Sequence, residues 1–394
     1  MSKIEQICLR NIINSNGKWA VEADVIIENA VYGRASSPSA ILAGKRERRI
    51  TSHLINSNGS DIKEIIKRFE GKNYNQREWD CLLEQNLEKL GTDITLALSL
   101  AFARAAAKET GIKLVEYIRT CAGITPSSTV LCPLIPIFSG GVHDPQKGGS
   151  MQQIMLSVSE IPFFNAVDII LEFYSRFEKK LQMTHYLKGY AASSGFLTDN
   201  LSAEDELGML TKAIEESGLQ KNLSIAVDIA AEHLKEGSLY RFYNRLYTAE
   251  DLEKKLLKYV KDYPITYIED PFDFNDIKNW EHLHKVLDKN VKVFSDDLSA
   301  TQICYIDEKN TDGVIVKMKQ VGTLSSTLDL INKARKLKLK TCISHRSIET
   351  EDTFMCDLGV AIGTDFMKIG GPRRGDRIDK YNRLLRIFSN VDYA

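Results

Sequence analysis

Net charge is scarce in this 394-residue chain: 52 basic side chains against 53 acidic ones leave a balance of −1. No global field draws in nucleic acid or a membrane surface, so any binding of anions has to be local. Paired cysteines are missing too. Cys8, Cys81, Cys121, Cys132, Cys304, Cys342 and Cys356 are odd in number, scattered and never spaced Cys-x-x-Cys. That argues against a disulfide frame or a zinc site and reads as reduced thiols. No apolar run reaches the roughly 18 residues of a membrane span, and the opening "MSKIEQICLRNIINSNG" lacks the apolar centre of a signal peptide. Low-complexity tracts and coarse repeats are also absent. The expectation is a cytoplasmic protein with no membrane and no nucleic-acid partner.

What is present is an ordinary globular balance, 43% hydrophobic and 27% charged, on a chain long enough for a large barrel with an appendage. "WAVEADVIIE" (19–28) alternates as a half-buried strand does. "TDITLALSLAFARAAAKETG" (92–111) reads as a helix, with Thr92 or Asp93 to cap it and Gly111 to end it. Its many small residues imply close packing on another element. From about residue 131 the texture changes, and short apolar runs alternate with amphipathic segments as in parallel βα units. The glycine-rich stretch "SGGVHDPQKGGSMQQ" (139–153) is either a mobile loop over a site or an ordinary connection.

The apolar runs of this second part finish alike. "LSIAVD" ends at Asp228, "ITYIED" at Glu269 and Asp270, and "VKVFSDD" at Asp296 and Asp297. "DGVIVKMK" carries Lys317, "KTCISHR" ends at His345 and Arg346, and "DFMKIG" carries Lys368. The markers recur at intervals of about 20 to 40 residues, the size of one strand plus one helix. In a (β/α) barrel all those strand ends meet at one face, where active sites lie. Three acids brought together there are either a divalent-cation site, best suited to Mg²⁺, or part of a buried acid–lysine network. A lysine crowded near a cation loses part of its preference for the protonated form and becomes a general base. A metal clamp with a lysine base suits removal of a proton next to a carboxylate. "ISHRSIETED" (343–352) is open to two readings, a solvated turn or an anion grip.

"SHRSIETEDTF", "VKMKQVGTL", "YPITYIEDPF" and "DKYNRLLRI" each resemble a signature of the enolase (phosphopyruvate hydratase) family, in the right order and over almost the whole chain. The resemblance implies an α/β fold: a small α+β N-terminal domain, 1–128, then an enolase-type (β/α)8 barrel, 129–394, with irregular early strands. It also implies a homodimer through the small domain. By the resemblance, Asp228, Glu269 and Asp296 match the Mg²⁺ ligands, and Lys317 matches the base. Lys368 matches the lysine on the substrate carboxylate, and His345 an active-site histidine. Arg346 and Ser347 match the phosphate-holding pair, and His143 the mobile-loop histidine.

Four departures from the family pattern stand out. Where "GDEGGFAP" would supply an acid, this chain reads "AASSGFLTDN" (191–200), with Ala192 and Ser193 at the acidic positions. The "QEFM" glutamate falls on Gln152 or Gln153, and by the resemblance Gln153 is expected among the substrate-binding residues. "PSGASTG" has become "PSAILAG" (38–44), with Leu42 at a metal-binding position, and "DSRGNPT" has become "NSNGKWA" (14–20). Glu232 and Asp199 are further acids, read as a solvated helix start and loop. The changes keep what forms an enolate and remove what expels hydroxide at C3, because serine and glutamine release no proton near neutral pH. Losing acid assistance costs roughly 10²–10⁴-fold, or about 3–5 kcal/mol.

Three readings follow. The first is an Mg²⁺-dependent enolase-like lyase acting on a phospho- or phosphono-carboxylate with an altered C3 step, for which the enolase relative carboxyphosphonoenolpyruvate synthase sets a precedent. The second is a weak phosphopyruvate hydratase, with His143, His345 or water replacing the acid. The third is a non-catalytic binder of a phosphoacid or a partner chain.

Overall fold

The computed structural model describes residues 1–39, 59–124, 131–144, 149–199, 201–305 and 307–389. Its first part is an antiparallel sheet of β1 (Ser2–Ile13), β2 (Trp19–Ile27), β3 (Val31–Ser36) and β4 (Asn73–Tyr74), in the order β3-β2-β1-β4. The alternation in 19–28 becomes β2 almost to the residue. Ala23, Val25 and Ile27 face the core, whereas Glu22 and Asp24 face out. Those two acids are buried only because arginines from both neighbouring strands cover them: Asp24 accepts from Arg34 Nε at 2.8 Å and also from Arg10. Asn14 shapes the β1–β2 turn by accepting the N–H groups of Asn16 and Lys18 on its side-chain oxygen.

The sheet lies on the helix Leu87–Glu109, which breaks at Gly91 (φ 75°) and runs regularly from Thr92. Thr110 closes it and Gly111 follows at φ +67°. The expected caps serve another purpose, because Thr92 Oγ1 accepts from Lys319 Nζ at 3.0 Å and Asp93 pairs with the same lysine. The small residues do buy a close approach: a Cβ on Gly33 of β3 would stand 2.0 Å from the Ala101 carbonyl oxygen. By length and composition this helix is apolar enough to cross a membrane, contrary to the reading that no run is; 89% of its most apolar window is buried inside the fold.

Two strands, β5 (Cys132–Ser139) and β6 (Gln153–Val158), open the barrel. A side hairpin, β7 (Leu187–Tyr190) and β8 (Phe196–Thr198), hangs on β5. Next comes β9 (Leu223–Asp228), followed by a small meander of β10 (Lys235–Glu236), β11 (Leu239–Phe242) and β12 (Arg245–Tyr247). The barrel continues with β13 (Ile265–Glu269), β14 (Lys292–Ser295), β15 (Gly313–Val316), β16 (Lys340–Ser344) and β17 (Phe366–Lys368). Pairing of β17 with β5 closes an eight-stranded ring, parallel throughout except that β6 runs antiparallel to both β5 and β9. The lower interior is filled by Leu134, Met155, Tyr267, Phe294, Ile315 and Cys342, with the Tyr267 and Phe294 rings stacked at 4.4 Å. Each such buried large side chain contributes about 1.5–3 kcal/mol. The domain boundary expected at 128/129 lies outside the described residues.

Candidate active site

The six strand-end side chains reach one mouth of the barrel. Asp228, Glu269 and Lys368 are the last residues of β9, β13 and β17, and Asp296, Lys317 and His345 directly follow β14, β15 and β16. All but Glu269 line one cleft, together with His143, Arg346 and Ser347. Glu269 is fully buried, and Lys368 Nζ donates to it at 2.9 Å and to Asp228 Oδ2 at 3.1 Å. Lys317 Nζ donates to Asp296.

Of the two arrangements the sequence left open, the acid–lysine network is thus in place, yet it does not use every oxygen. Asp228 Oδ1 and Asp296 Oδ1 are buried with no hydrogen-bond partner among the described residues. Such an unsatisfied buried acceptor costs about 1–3 kcal/mol. Carboxylate oxygens are the donors a hard divalent cation takes, so the unused oxygens of Asp228 and Asp296 fit Mg²⁺, whereas both oxygens of Glu269 are held by Lys368.

Electrostatics at the mouth follow from burial and neighbours. Burial, then the Asp228 charge, pushes the Glu269 carboxyl up to about 8, with Lys368 pulling the other way. Burial also works against Asp296, but Lys317 and Lys368 outweigh it and hold this carboxyl below the usual range. Both lysines move up, held by the carboxylates beside them. Burial lowers Lys317, yet Asp296 more than compensates, and Asp228 and Glu269 do the same for Lys368. Among the described residues a second carboxylate group shares Asp296: Asp270, Asp296 and Asp297, with one oxygen of each within 4.8 Å of the others. Asp270 acts there as a brace: in a left-handed backbone conformation (φ 43°) it accepts the N–H groups of Asp296 at 3.0 Å and Asp297 at 2.7 Å, fixing the turn that presents Asp296.

"ISHRSIETED" is no solvated turn. His345, Arg346, Glu349 and Thr350 are buried, and the Arg346 N–H donates to Glu349 at 2.7 Å. Burial first, then the charges of Arg377 and Lys368, keeps His345 well below its ordinary pKa. His143 ends a 3₁₀ turn at the rim (Gly141–His143), where burial holds its pKa down at about 4. Residues 145–148 of its loop lie outside the described residues, as do Leu42 and most of 38–44.

The opposite wall is uncharged. Gln153 opens β6 opposite Asp228, and its Nε2 donates to Ser193 Oγ at 3.3 Å. Ser193 Oγ also lies 3.4 Å from Ser139 Oγ. Gln152 reaches the cleft as well, donating to Asp228 Oδ2 at 3.3 Å. The Ala192 carbonyl is held by Arg377. Neither Glu232 nor Asp199 is on the cleft wall; Glu232 is buried, against the solvated helix start read for it, and Asp199 is exposed and lies 3.7 Å from Lys188. Sequence reasoning had assigned no role to Asp297, His233, Gln320 or Ser344, which also line the cleft. Asp297 carried a signal as the second acid of "SDD", and Gln320 and Ser344 lie inside "VKMKQVGTL" and "SHRSIETEDTF".

Comparison with known proteins bears on the family and the fold. Residues 4–118 match the family description "Enolase, N-terminal domain", and residues 127–393 match "Enolase, C-terminal TIM barrel domain". The chain is similar to a protein described as "Enolase" from Elusimicrobium minutum (strain Pei191), 32% identical over 408 residues, covering 98% of this chain and 96% of that protein.

Proposed function

The chain belongs to the enolase family and is a lyase of that fold, and from that premise we propose that it removes the α-proton of a phospho- or phosphono-carboxylate and completes the reaction by an altered C3 step. Arg346 and Ser347 hold the phosphate or phosphonate, and Lys368 donates to the substrate carboxylate. Lys317 Nζ, once it has released its proton, takes the α-proton, and the C–H electron pair moves into the carboxylate as an enolate. Mg²⁺ held by Asp228, Glu269 and Asp296 supplies, when bound, the positive charge that makes the α-proton acidic enough to lose. His345 stays neutral and so binds by hydrogen bonds rather than by charge.

The altered step rests on one observation, the Gln153–Ser193 contact at 3.3 Å where an acid is expected. Neither side chain can protonate a departing hydroxide. Plain phosphopyruvate hydratase activity is the second reading, favoured by His143 at the rim. With a pKa of about 4, however, His143 is neutral at pH 7 and a poor proton donor. A homodimer belongs to the same proposal. The exposed cross-strand pair Ile13 and Trp19 gives it an apolar surface, and sedimentation velocity tests it.

The deciding experiment is an NMR time course in D₂O with Mg²⁺ and 2-phosphoglycerate. The expected outcome is α-deuterium exchange that outruns phosphoenolpyruvate formation. Equal rates would establish ordinary dehydration, and no exchange with 2-phosphoglycerate or phosphono analogues would remove the enolate step altogether.

A further inference from the structure

Arg377 lies at the start of the last helix, Gly375–Phe388, behind the cleft wall rather than on it. Its side chain is 0% exposed. A guanidinium is placed in such a position only where fixed acceptors replace its water. Here the acceptors are mostly backbone. Nη2 donates to the carbonyls of Ser347 at 2.9 Å, Arg346 at 3.1 Å and Ala192 at 3.3 Å. The nearest carboxylates are looser: Asp376 Oδ2 stands 3.3 Å from Nε and Glu349 Oε1 4.0 Å from Nη1.

Glu349 is itself engaged from two sides, by the Arg346 N–H at 2.7 Å and by the fully buried Lys380 at 3.2 Å. Lys380 also donates to the Thr350 carbonyl at 3.2 Å. The chain after Lys368 joins the same knot, because the Gly371 N–H donates to the Ser193 carbonyl at 2.8 Å. Gly370 makes room for it: its φ is +85°, and a Cβ there would stand 2.7 Å from Arg377 Cδ.

We infer that Arg377 is a positioning residue, which locks the anion-gripping turn 345–349 and the uncharged loop 191–194 into one rigid unit, so that recognition of a phosphoacid depends on it although it touches no ligand. The class of ligand rests on the function proposed above; the locking does not. All three carbonyls are met by one nitrogen, Nη2, while Nε and Nη1 have no hydrogen-bond partner among the described residues; the rigid guanidinium plane fixes where Nη2 sits, which a flexible lysine stem with a point charge does not. Phosphate affinity and the shape of the C3 recess are then set by one side chain.

The test compares the full chain with Arg377→Lys and Arg377→Met. Without ligand, backbone amide hydrogen exchange at 192–195 and 346–349 should quicken by about 10-fold or more in both variants while the rest of the barrel is unchanged. With Mg²⁺, calorimetry should find phosphoenolpyruvate and inorganic phosphate bound roughly 10- to 100-fold more weakly, the worth of a charge-assisted hydrogen bond, with Mg²⁺ affinity unmoved. Unchanged exchange in the two segments, an equal rise over the whole barrel, or unchanged phosphate affinity would each overturn the inference. In the unmodified protein the two segments should also lose protection together as urea is raised; separate loss would overturn it without any variant. If the unmodified protein binds neither probe, the phosphoacid reading fails, and the exchange data still decide the locking.

Discussion

The two walls of the barrel mouth are built by one ring of strands and are buried alike, yet they differ in what they can do. Along β9 and β13 to β17 every strand finishes in or next to an ionisable group, and these groups hold one another: Lys368 with Asp228 and Glu269, Lys317 with Asp296. Along β5, β6 and the 191–195 loop the facing groups are the amides of Gln152 and Gln153 and the hydroxyls of Ser139 and Ser193. The first wall can move a proton and stabilise the charge that results. The second can shape a substituent and hydrogen-bond it, but it has no acid to spend on a leaving group. A single active site can therefore keep half of a reaction while the other half changes, because each half is carried by different strands.

The strongest way to break the contrast is at the charged wall. Lys317→Ala should slow α-proton exchange by about 10³-fold, within the usual range for a positioned base, and leave Mg²⁺-dependent binding of phosphoenolpyruvate intact; exchange at the original rate would mean that another group is the base. Next in size, Arg346→Ala should weaken phosphorylated ligands roughly 10- to 100-fold and hardly affect their dephosphorylated forms in a calorimetric titration. Equal weakening of both would show that Arg346 does not read the phosphate.

The uncharged wall offers the sharper and smaller test. Gln153→Glu puts a carboxyl back beside Ser193, and phosphoenolpyruvate formation should rise by about 10-fold, part of what a positioned acid supplies, with α-exchange no faster. If dehydration does not improve, the missing acid is not what limits it. The smallest effect is on stability. His143 has a folded pKa of about 4, lowered chiefly by burial and then by Lys368, Arg377 and Lys317 against the pull of Asp228. Between its ordinary value near 6.5 and about 4, the unfolded chain takes up a proton that the folded chain refuses, so stability falls as pH drops through that window. In urea melts across those pH values His143→Asn should flatten that part of the profile.

Much of this site was legible because strand ends in an α/β barrel announce themselves: an apolar run, then a charge, at one-unit spacing. Asp228, Glu269, Asp296, Lys317, His345 and Lys368 were all found that way, and all six come together. The reversed direction of β6 was not legible, since periodicity is blind to the sense of a strand. For the same reason the choice between Gln152 and Gln153 needed the register, which sets Gln153 opposite Asp228 and leaves Gln152 beside it. Asp270 looked like one more strand-end acid, and only its two amide contacts reveal a brace. Arg377 carried no signal, because a buried arginine bound to carbonyls looks in sequence like any solvated helix residue. Thr92 and Asp93 had the chemistry of helix caps, and a tertiary partner, Lys319, claimed them.

The antiparallel course of β6 decides where new parts can be added to this molecule. Because β5 ends and β6 begins at the same rim, the stretch between Ser139 and Gln153 joins two paired staves of the barrel, and its described residues hold one short 3₁₀ turn, Gly141–His143. Elsewhere around the ring, lengthening a loop tugs on the helix that follows it. At this junction residues inserted or deleted above the cleft bear first on two paired strands, which makes it a cheap place for a lineage, or a protein engineer, to graft a different cover onto the same chemistry.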